Sequence, residues 1–196
     1  MQLDLARVSA HAPRRVTGEK YDAAVLIPVV ERDGEAHLLF TKRAEHLGEH
    51  PGQMSFPGGG REPEDADLEA TALREADEEI GLRPEEADVV GRIDDIRTIT
   101  EYSVTPYVAR VPDREYAPND DEVAEIAVLP VAAMLDPDNY EHERRDHPHY
   151  GEVVIHYFRV DGYTVWGATG RIVVDFFELT TDWRAPERID PESRAD

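Results

Sequence analysis

Arg74-Glu75-Ala76-Asp77-Glu78-Glu79-Ile80-Gly81-Leu82 is the stretch on which the reading of this chain turns. Set on a helix, Glu75 lies three residues from Glu78 and four from Glu79, so their carboxylates crowd one face. Like charges at that spacing destabilise a helix unless a cation sits among them. Leu68, Ala72, Ala76 and Ile80 recur every four residues and form an apolar face that anchors the helix to a sheet. Gly81 supplies the stop, and the spacing predicts a helix over Leu68–Ile80. Hard oxygen donors, with no cysteine and no evident histidine beside them, suit Mg2+ or Mn2+.

Upstream, Phe56-Pro57-Gly58-Gly59-Gly60 is backbone able to approach a metal or a phosphate closely. A metal cluster beside exposed backbone amides meets the needs of in-line attack on a phosphoanhydride: charge neutralisation, an activated water and positioning. An acidic helix face in a chain of net charge −22 is ordinarily only solvated. Here the carboxylates sit in a longer and more specific pattern that begins at Gly59-Gly60.

Working outward, Asp22–Val30 and Ala36–Thr41 are apolar, β-rich runs separated by the hairpin signal Glu31-Arg32-Asp33-Gly34. A glycine- and proline-rich loop follows from Gly48 to Pro63. Val89–Thr98, Val104–Val111, Glu122–Leu129 and Val153–Val160 read as strands, with a short helix near Val131–Leu135. Asp136–Gly151 is polar and histidine-rich and reads as a long loop. Arg171–Leu179 has helical spacing at Ile172, Phe176 and Leu179, while its β-branched residues keep a strand open. Strands flanking a few helices, without strict βαβ alternation, predict a single mixed α/β sandwich domain over 21–181. Residues 1–20 read as an N-terminal arm or helix packing on its edge, and 182–196 as a tail.

The 196 residues suffice for one domain with a core. No apolar run approaches the roughly 20 residues of a membrane span, and the N-terminus lacks the layout of a secretory signal. The expected compartment is the cytoplasm. Without cysteine, disulfides, thiolate metal sites and cysteine nucleophiles are excluded. Forty-three acidic residues against 21 basic ones, with only Lys20 and Lys42 as lysines, repel nucleic acid and anionic membranes. Near 1 M salt the Debye length falls to about 3 Å, so such a surface is expected of a halophilic protein.

Gly59-Gly60 followed by Arg-Glu-Ala-Asp-Glu-Glu-Ile-Gly-Leu resembles the Nudix box, the loop–helix–loop signature of the Nudix hydrolases. The second half fits fully. In the first half, counting back from Arg74 reaches Ala66 where a glutamate is expected, whereas counting from Gly59 reaches Asp65. This reads as an insertion, with Asp65 or Asp67 near the helix start. Flanking stretches resemble the coenzyme A pyrophosphatase branch: Leu38-Leu39-Phe40-Thr41-Lys42-Arg43, then His50-Pro51-Gly52-Gln53-Met54-Ser55-Phe56-Pro57-Gly58-Gly59. Val104-Thr105-Pro106, Asp121-Glu122-Val123-Ala124-Glu125 and Val165-Trp166-Gly167-Ala168-Thr169 extend the likeness to about residues 22–180.

The resemblance implies a Nudix-type α/β/α sandwich with a mixed β-sheet. It also implies hydrolysis of the pyrophosphate of CoA or acyl-CoA to 3′,5′-ADP and (acyl) 4′-phosphopantetheine. By motif position Glu75, Glu78 and Glu79 would bind Mg2+ or Mn2+ with the Gly59 carbonyl. A later acidic residue, Glu122 or Glu125 (Glu125 preferred), would assist. Arg74 would orient the glutamates through ion pairing. Arg43, His50, Gln53, Gly58 and Gly59 would contact a CoA-like nucleotide; for Arg43 a surface ion pair is the structural alternative. Arg144-Arg145, a basic pair among His142, His147, His149 and His156, reads first as solvated loop and, functionally, as a grip on the 3′-phosphate.

Other readings share the residues. Keeping the fold, the substrate becomes ADP-ribose, a dinucleotide or a damaged nucleoside triphosphate. A non-catalytic nucleotide sensor would be expected to lack box carboxylates, and all three are present. His46-Leu47-Gly48-Glu49-His50 imitates an inverted zinc-protease motif, but Gly48 and Pro51 oppose the helix it needs. Trp166 and Phe176-Phe177 read as core rather than as a stacking site. No dinucleotide fingerprint or P-loop occurs. A homodimer is the expected assembly, if any.

Overall fold

A computed structural model describes residues 3–46, 52–98, 100–119, 121–147 and 151–186. In chain order the elements are α1 (Ala6–Ala10), β1 (Tyr21–Arg32), β2 (Glu35–Arg43), β3 (Met54–Ser55), β4 (Gly58–Gly60) and α2 (Leu68–Ile80). They continue with β5 (Asp88–Arg92), β6 (Ile96–Arg97), β7 (Tyr102–Val111), β8 (Val123–Pro130) and α3 (Val131–Met134). Last come β9 (Tyr140–His147), β10 (Gly151–Val160), β11 (Tyr163–Val165) and α4 (Gly167–Thr180).

The main sheet runs β3-β2-β1-β7-β5, with β4 on β1, β6 on β7 and β8 on β2. β1 and β7 are parallel and the other pairs antiparallel, so the sheet is mixed. β1 is apolar from Ala23 to Val30, where it is covered on both faces. Ala24, Leu26 and Val30 pack with Ala72, Ala76 and Ile80 of α2. Ala23, Ile27 and Val29 join the core that holds Ile172, Val173, Phe176 and Phe177 of α4. Helices therefore cover both sheet faces, the α/β/α sandwich expected of the sequence. Asp33 and Gly34 both take positive φ (54° and 77°), the two-residue turn that matches strand twist in a hairpin.

Four local expectations are corrected. The loop predicted over 136–151 is a one-turn 3-10 helix followed by β9, paired antiparallel with β10 in a separate three-stranded sheet, β11-β10-β9. Its strand is polar because cross-strand partners satisfy it: Arg144 to Glu152 at 2.7 Å and Arg159 to Glu141 at 3.0 Å. The strand predicted over 89–98 divides into β5 and β6. Asp95 turns inward at the break, where its carboxylate accepts from Val16 N, Thr105 Oγ1 and Arg92 Nη1. The glycine-rich loop contains β3 and β4. Trp166 is 36% exposed and stacked on Tyr157, while Phe176 and Phe177 are in the core.

The segment over Arg171–Leu179 is helical. The N-terminal segment packs on the domain edge: Val8 is buried, Asp4 N bonds to Thr180 O, and Asp94 accepts from both His11 and the Arg14 guanidinium. Among the described residues no helix is long and apolar enough to cross a membrane.

Candidate active site

α2 starts at Asp67, whose carboxylate accepts from Ala70 N at 2.9 Å, and stops at Gly81 in the left-handed conformation (φ 63°). With Ala72, Ala76 and Ile80 buried on the sheet, the helix must carry its charges outward. Gly58–Gly60 runs beside it on β1. Leu26 N donates to Pro57 O and Arg61 N to Asp22 O, on either side of the Ala24–Gly59 pair. In an antiparallel ladder this makes Ala24 and Gly59 the hydrogen-bonded pair and turns the peptide groups of Gly58 and Gly60 to the other edge. The Gly59 carbonyl, expected at the metal, is thus committed to β1, and its neighbours' carbonyls face outward.

Glycine is required there. A Cβ on Gly59 would stand 2.4 Å from Glu75 Oε1, and one on Gly58 would stand 2.4 Å from Ala24 O. The Glu75 carboxylate therefore rests directly on the backbone of β4.

Arg74 organises the charges. Its Nη1 donates to Glu75 Oε1 at 3.0 Å and to Glu78 Oε2 at 2.9 Å, and its Nη2 donates to Gly60 O at 3.1 Å. Behind it, Asp65 accepts from Arg74 Nε at 3.0 Å and from Nη2 at 3.1 Å, a two-pronged pair. Glu62 N and Thr71 Oγ1 each donate to the same carboxylate at 2.9 Å. The Arg74 guanidinium holds Asp65 well below the usual carboxylate range, and Asp65 in turn raises Arg74. Burial pushes Glu75 up, against the opposing pull of Arg74. Glu78 is exposed, whereas one carboxylate oxygen of Glu79 is fully buried.

Among the described residues no three acidic or imidazole side chains enclose a metal position as they stand. Arg74 is the cation between Glu75 and Glu78. The donor set nonetheless fits a hard divalent ion: three carboxylates on one helix, one resting on a glycine strand with outward carbonyls.

The remaining expected residues divide. Arg43, at the end of β2, donates its N–H to Gln53 O at 3.0 Å, and its guanidinium lies 4.0 Å from Glu122. The Gln53 amide lies 3.3 Å from where a Cβ on Gly167 would stand, between β3 and the start of α4. Glu125 is bonded by Tyr163 OH and lies 3.9 Å from Lys42. His50 lies outside the described residues. Arg144 and Arg145 are strand residues of β9, engaged with Glu152 and Glu143, and the expected basic loop is not there. Tyr140, His142 and His156 form a stacked group on the β9–β10 sheet.

Two features escape a sequence reading. Asp65 was placed only near the helix start, and its burial against Arg74 needs the fold. The loop after β7 closes the open end of α2: Asn119 N donates to Glu79 O at 2.9 Å, its amide donates to Asp77 O, and Arg114 donates to Gly81 O at 2.8 Å. Pro112, Pro118 and Asn119-Asp120-Asp121 mark a loop in the sequence, not its destination.

Comparison with known proteins agrees with this geometry. The NUDIX domain model matches residues 20–150. An uncharacterized Nudix hydrolase NudL of Enterobacter sp. (strain 638) is 40% identical over 155 residues, 77% of this chain and 78% of that one. Its counterpart from Cronobacter sakazakii is 42% identical over 156 residues, with the same coverage. Two solved structures share the fold at low identity. A NUDIX hydrolase from Alicyclobacillus acidocaldarius has TM-score 0.52 and 19% identity over 61% of this chain and 83% of that one. A MutT/nudix family protein from Enterococcus faecalis has TM-score 0.54 and 14% identity over 89% and 66%. With the matched region spanning the glycine strand, Asp65, Arg74 and the three glutamates, this chain is a member of the Nudix hydrolase family.

Proposed function

We propose that the chain hydrolyses the pyrophosphate of coenzyme A or acyl-CoA, giving 3′,5′-ADP and (acyl) 4′-phosphopantetheine. The observation that carries the hydrolytic reading is the Asp65–Arg74 pair, which holds Glu75 and Glu78 beside the Gly58–Gly60 strand. The CoA reading is supported by the flanking stretches Leu38–Arg43 and His50–Gly59, which resemble the coenzyme A pyrophosphatase branch.

Glu75, Glu78 and Glu79 would hold Mg2+ or Mn2+, which when bound neutralises pyrophosphate charge and activates water. Arg74 keeps the carboxylates in register and returns their charge balance when the site is not loaded. The outward peptide groups of β4 are oriented toward a phosphate lying on the strand edge. Arg43 and Gln53, joined through the Arg43 N–H to Gln53 O bond, flank the approach from β2 and β3. Water oxygen bonds to one phosphorus as its bond to the bridging oxygen breaks; that oxygen leaves on the other phosphorus, the protons of water pass to solvent, and 3′,5′-ADP and (acyl) 4′-phosphopantetheine depart, each with one phosphate of the former pyrophosphate.

The test is incubation with CoA and Mg2+ or Mn2+ at low and at molar salt, with products identified by mass. Appearance of 3′,5′-ADP and 4′-phosphopantetheine, abolished by Glu79→Gln in a folded variant, is the expected result. A folded enzyme that leaves CoA intact but cleaves ADP-ribose or a dinucleotide would overturn the substrate while keeping the chemistry.

A further inference from the structure

Lys20, one of only two lysines, precedes Tyr21 at the start of β1. Tyr21 is the register partner of Tyr102, the first residue of β7; their ring centroids lie 5.1 Å apart with the planes 32° from parallel. Lys20 Nζ stands 4.8 Å from the Tyr21 ring centroid. Tyr21 is 44% exposed, the most exposed large hydrophobic side chain among the described residues. Single exposed rings are ordinary on a soluble surface. Two neighbouring rings with an ammonium over the exposed one, Tyr21, in a chain of net charge −22, are a more particular arrangement.

Their position gives them meaning. Tyr102 Cε1 lies 4.0 Å from where a Cβ on Gly60 would stand, whereas Glu75 Oε1 lies 2.4 Å from the same point on Gly59. Successive strand residues face opposite sides, so the rings and the Glu75 carboxylate flank the two faces of one short glycine strand. Among the described residues the outer edge of that strand carries no other strand. A ligand whose phosphates cross the edge reaches the carboxylates with one end and the rings with the other. Gly60 places no side chain in the way.

We propose that Tyr21 and Tyr102 form a stacking floor for a purine base and that Lys20 pairs with a phosphate on its ribose. The inference rests on the reading of α2 as a nucleotide pyrophosphatase centre and assigns the 3′-phosphorylated adenylate half of the substrate to this floor. A ring face accepts any base by stacking, and the adjacent ammonium selects the one that carries the extra anion. It also moves recognition of that phosphate from Arg144 and Arg145, which are engaged with Glu152 and Glu143, to Lys20.

Calorimetric titration with 3′,5′-ADP and with 5′-AMP, at one fixed salt concentration, tests it without turnover, because neither probe contains a pyrophosphate. Tyr21→Ala weakens both probes about tenfold, and Tyr21→Phe, which keeps the ring face, restores both. Lys20→Ala weakens 3′,5′-ADP about fivefold and leaves 5′-AMP within about twofold. Thermal melting of each variant secures the folded state. Unchanged affinity in Tyr21→Ala, or an equal loss of both probes in Lys20→Ala, overturns the assignment. Cleavage of CoA with a KM indifferent to Tyr21 and Lys20 discards the floor and keeps the CoA reading. Binding of 3′,5′-ADP with the stated sensitivities, by a protein that leaves CoA intact, keeps the floor and discards that reading.

Discussion

Arg74 on α2 has 22% of its side chain exposed and its partner Asp65 has 5%, whereas Arg144 and Glu152 on the β9–β10 hairpin have 55% and 31%. Both regions are crowded with charge, and both look alike in composition. Around Arg74 the charges are half-withdrawn from water and joined in one web with Asp65, Glu75, Glu78 and the Gly60 carbonyl. On the hairpin they meet pairwise in solvent, Arg144–Glu152 and Arg159–Glu141 across the two strands and Arg145–Glu143 along β9, with water and salt screening each pair. Charge density marks a place; burial of the counterion decides whether that place is held rigidly enough to do chemistry.

Mutations separate the two regions, beginning with catalysis. Glu79→Gln is expected to lower kcat about a thousandfold, as loss of several kcal/mol of charge stabilisation implies. Arg144→Ala combined with Arg145→Ala is expected to leave kcat within about twofold, since exposed pairs carry little energy. A large kcat loss in the double variant would break the comparison. Stability follows. Asp65→Ala strands Arg74 without its partner and is expected to cost about 3 kcal/mol by chemical denaturation. Arg144→Ala is expected to cost less than about 1 kcal/mol.

The acid limb sharpens the same contrast. Asp65 is held below its ordinary range in the folded protein, so its contribution is complete above the unfolded value near about 4 and is lost as pH falls through the lower folded value. The stability difference between wild type and Asp65→Asn should therefore stay constant through neutral pH and shrink only in strong acid. A difference that vanished near neutrality would contradict the pairing. Asn119→Ala, at the far end of α2, removes the amide bond to Asp77 O while keeping the main-chain bond to Glu79 O. It is expected to cost about 1 kcal/mol in stability and to lower kcat more than it raises KM.

The smallest effect concerns salt. If the acidic surface is adapted to high salt, molar KCl raises the melting temperature of wild type, while the wild type to Arg144→Ala difference, small already, disappears by screening.

How much was legible in advance follows from how local each signal is. The helix over Leu68–Ile80 and its stop at Gly81 were readable because spacing, capping and glycine geometry are properties of neighbouring residues. The Asp33-Gly34 hairpin was readable for the same reason. β9 was not. Its residues are polar, and Glu152, His156, Tyr157 and Arg159 of the partner strand, far along the chain, help to satisfy them. Trp166, taken for core, is a ring stacked at the surface because the start of α4 holds it beside Tyr157.

Within the site, the three glutamates and the ion-pairing part of Arg74 were visible as a motif, and Asp65 was visible only as a residue out of register. That it lies buried, with Arg74, Thr71 and Glu62 N converging on it, depends on the path of the chain between β4 and α2.

By itself the sequence determined the class of fold, the helix that bears the carboxylates and the hard-cation character of its donors, because each is written in short-range spacing and residue chemistry. The tertiary structure alone decided which charges are buried and paired, which glycine carbonyls face outward, and where Tyr21 meets Tyr102. Those outcomes join residues far apart in the chain, and burial is a property of the packed whole rather than of any neighbouring pair.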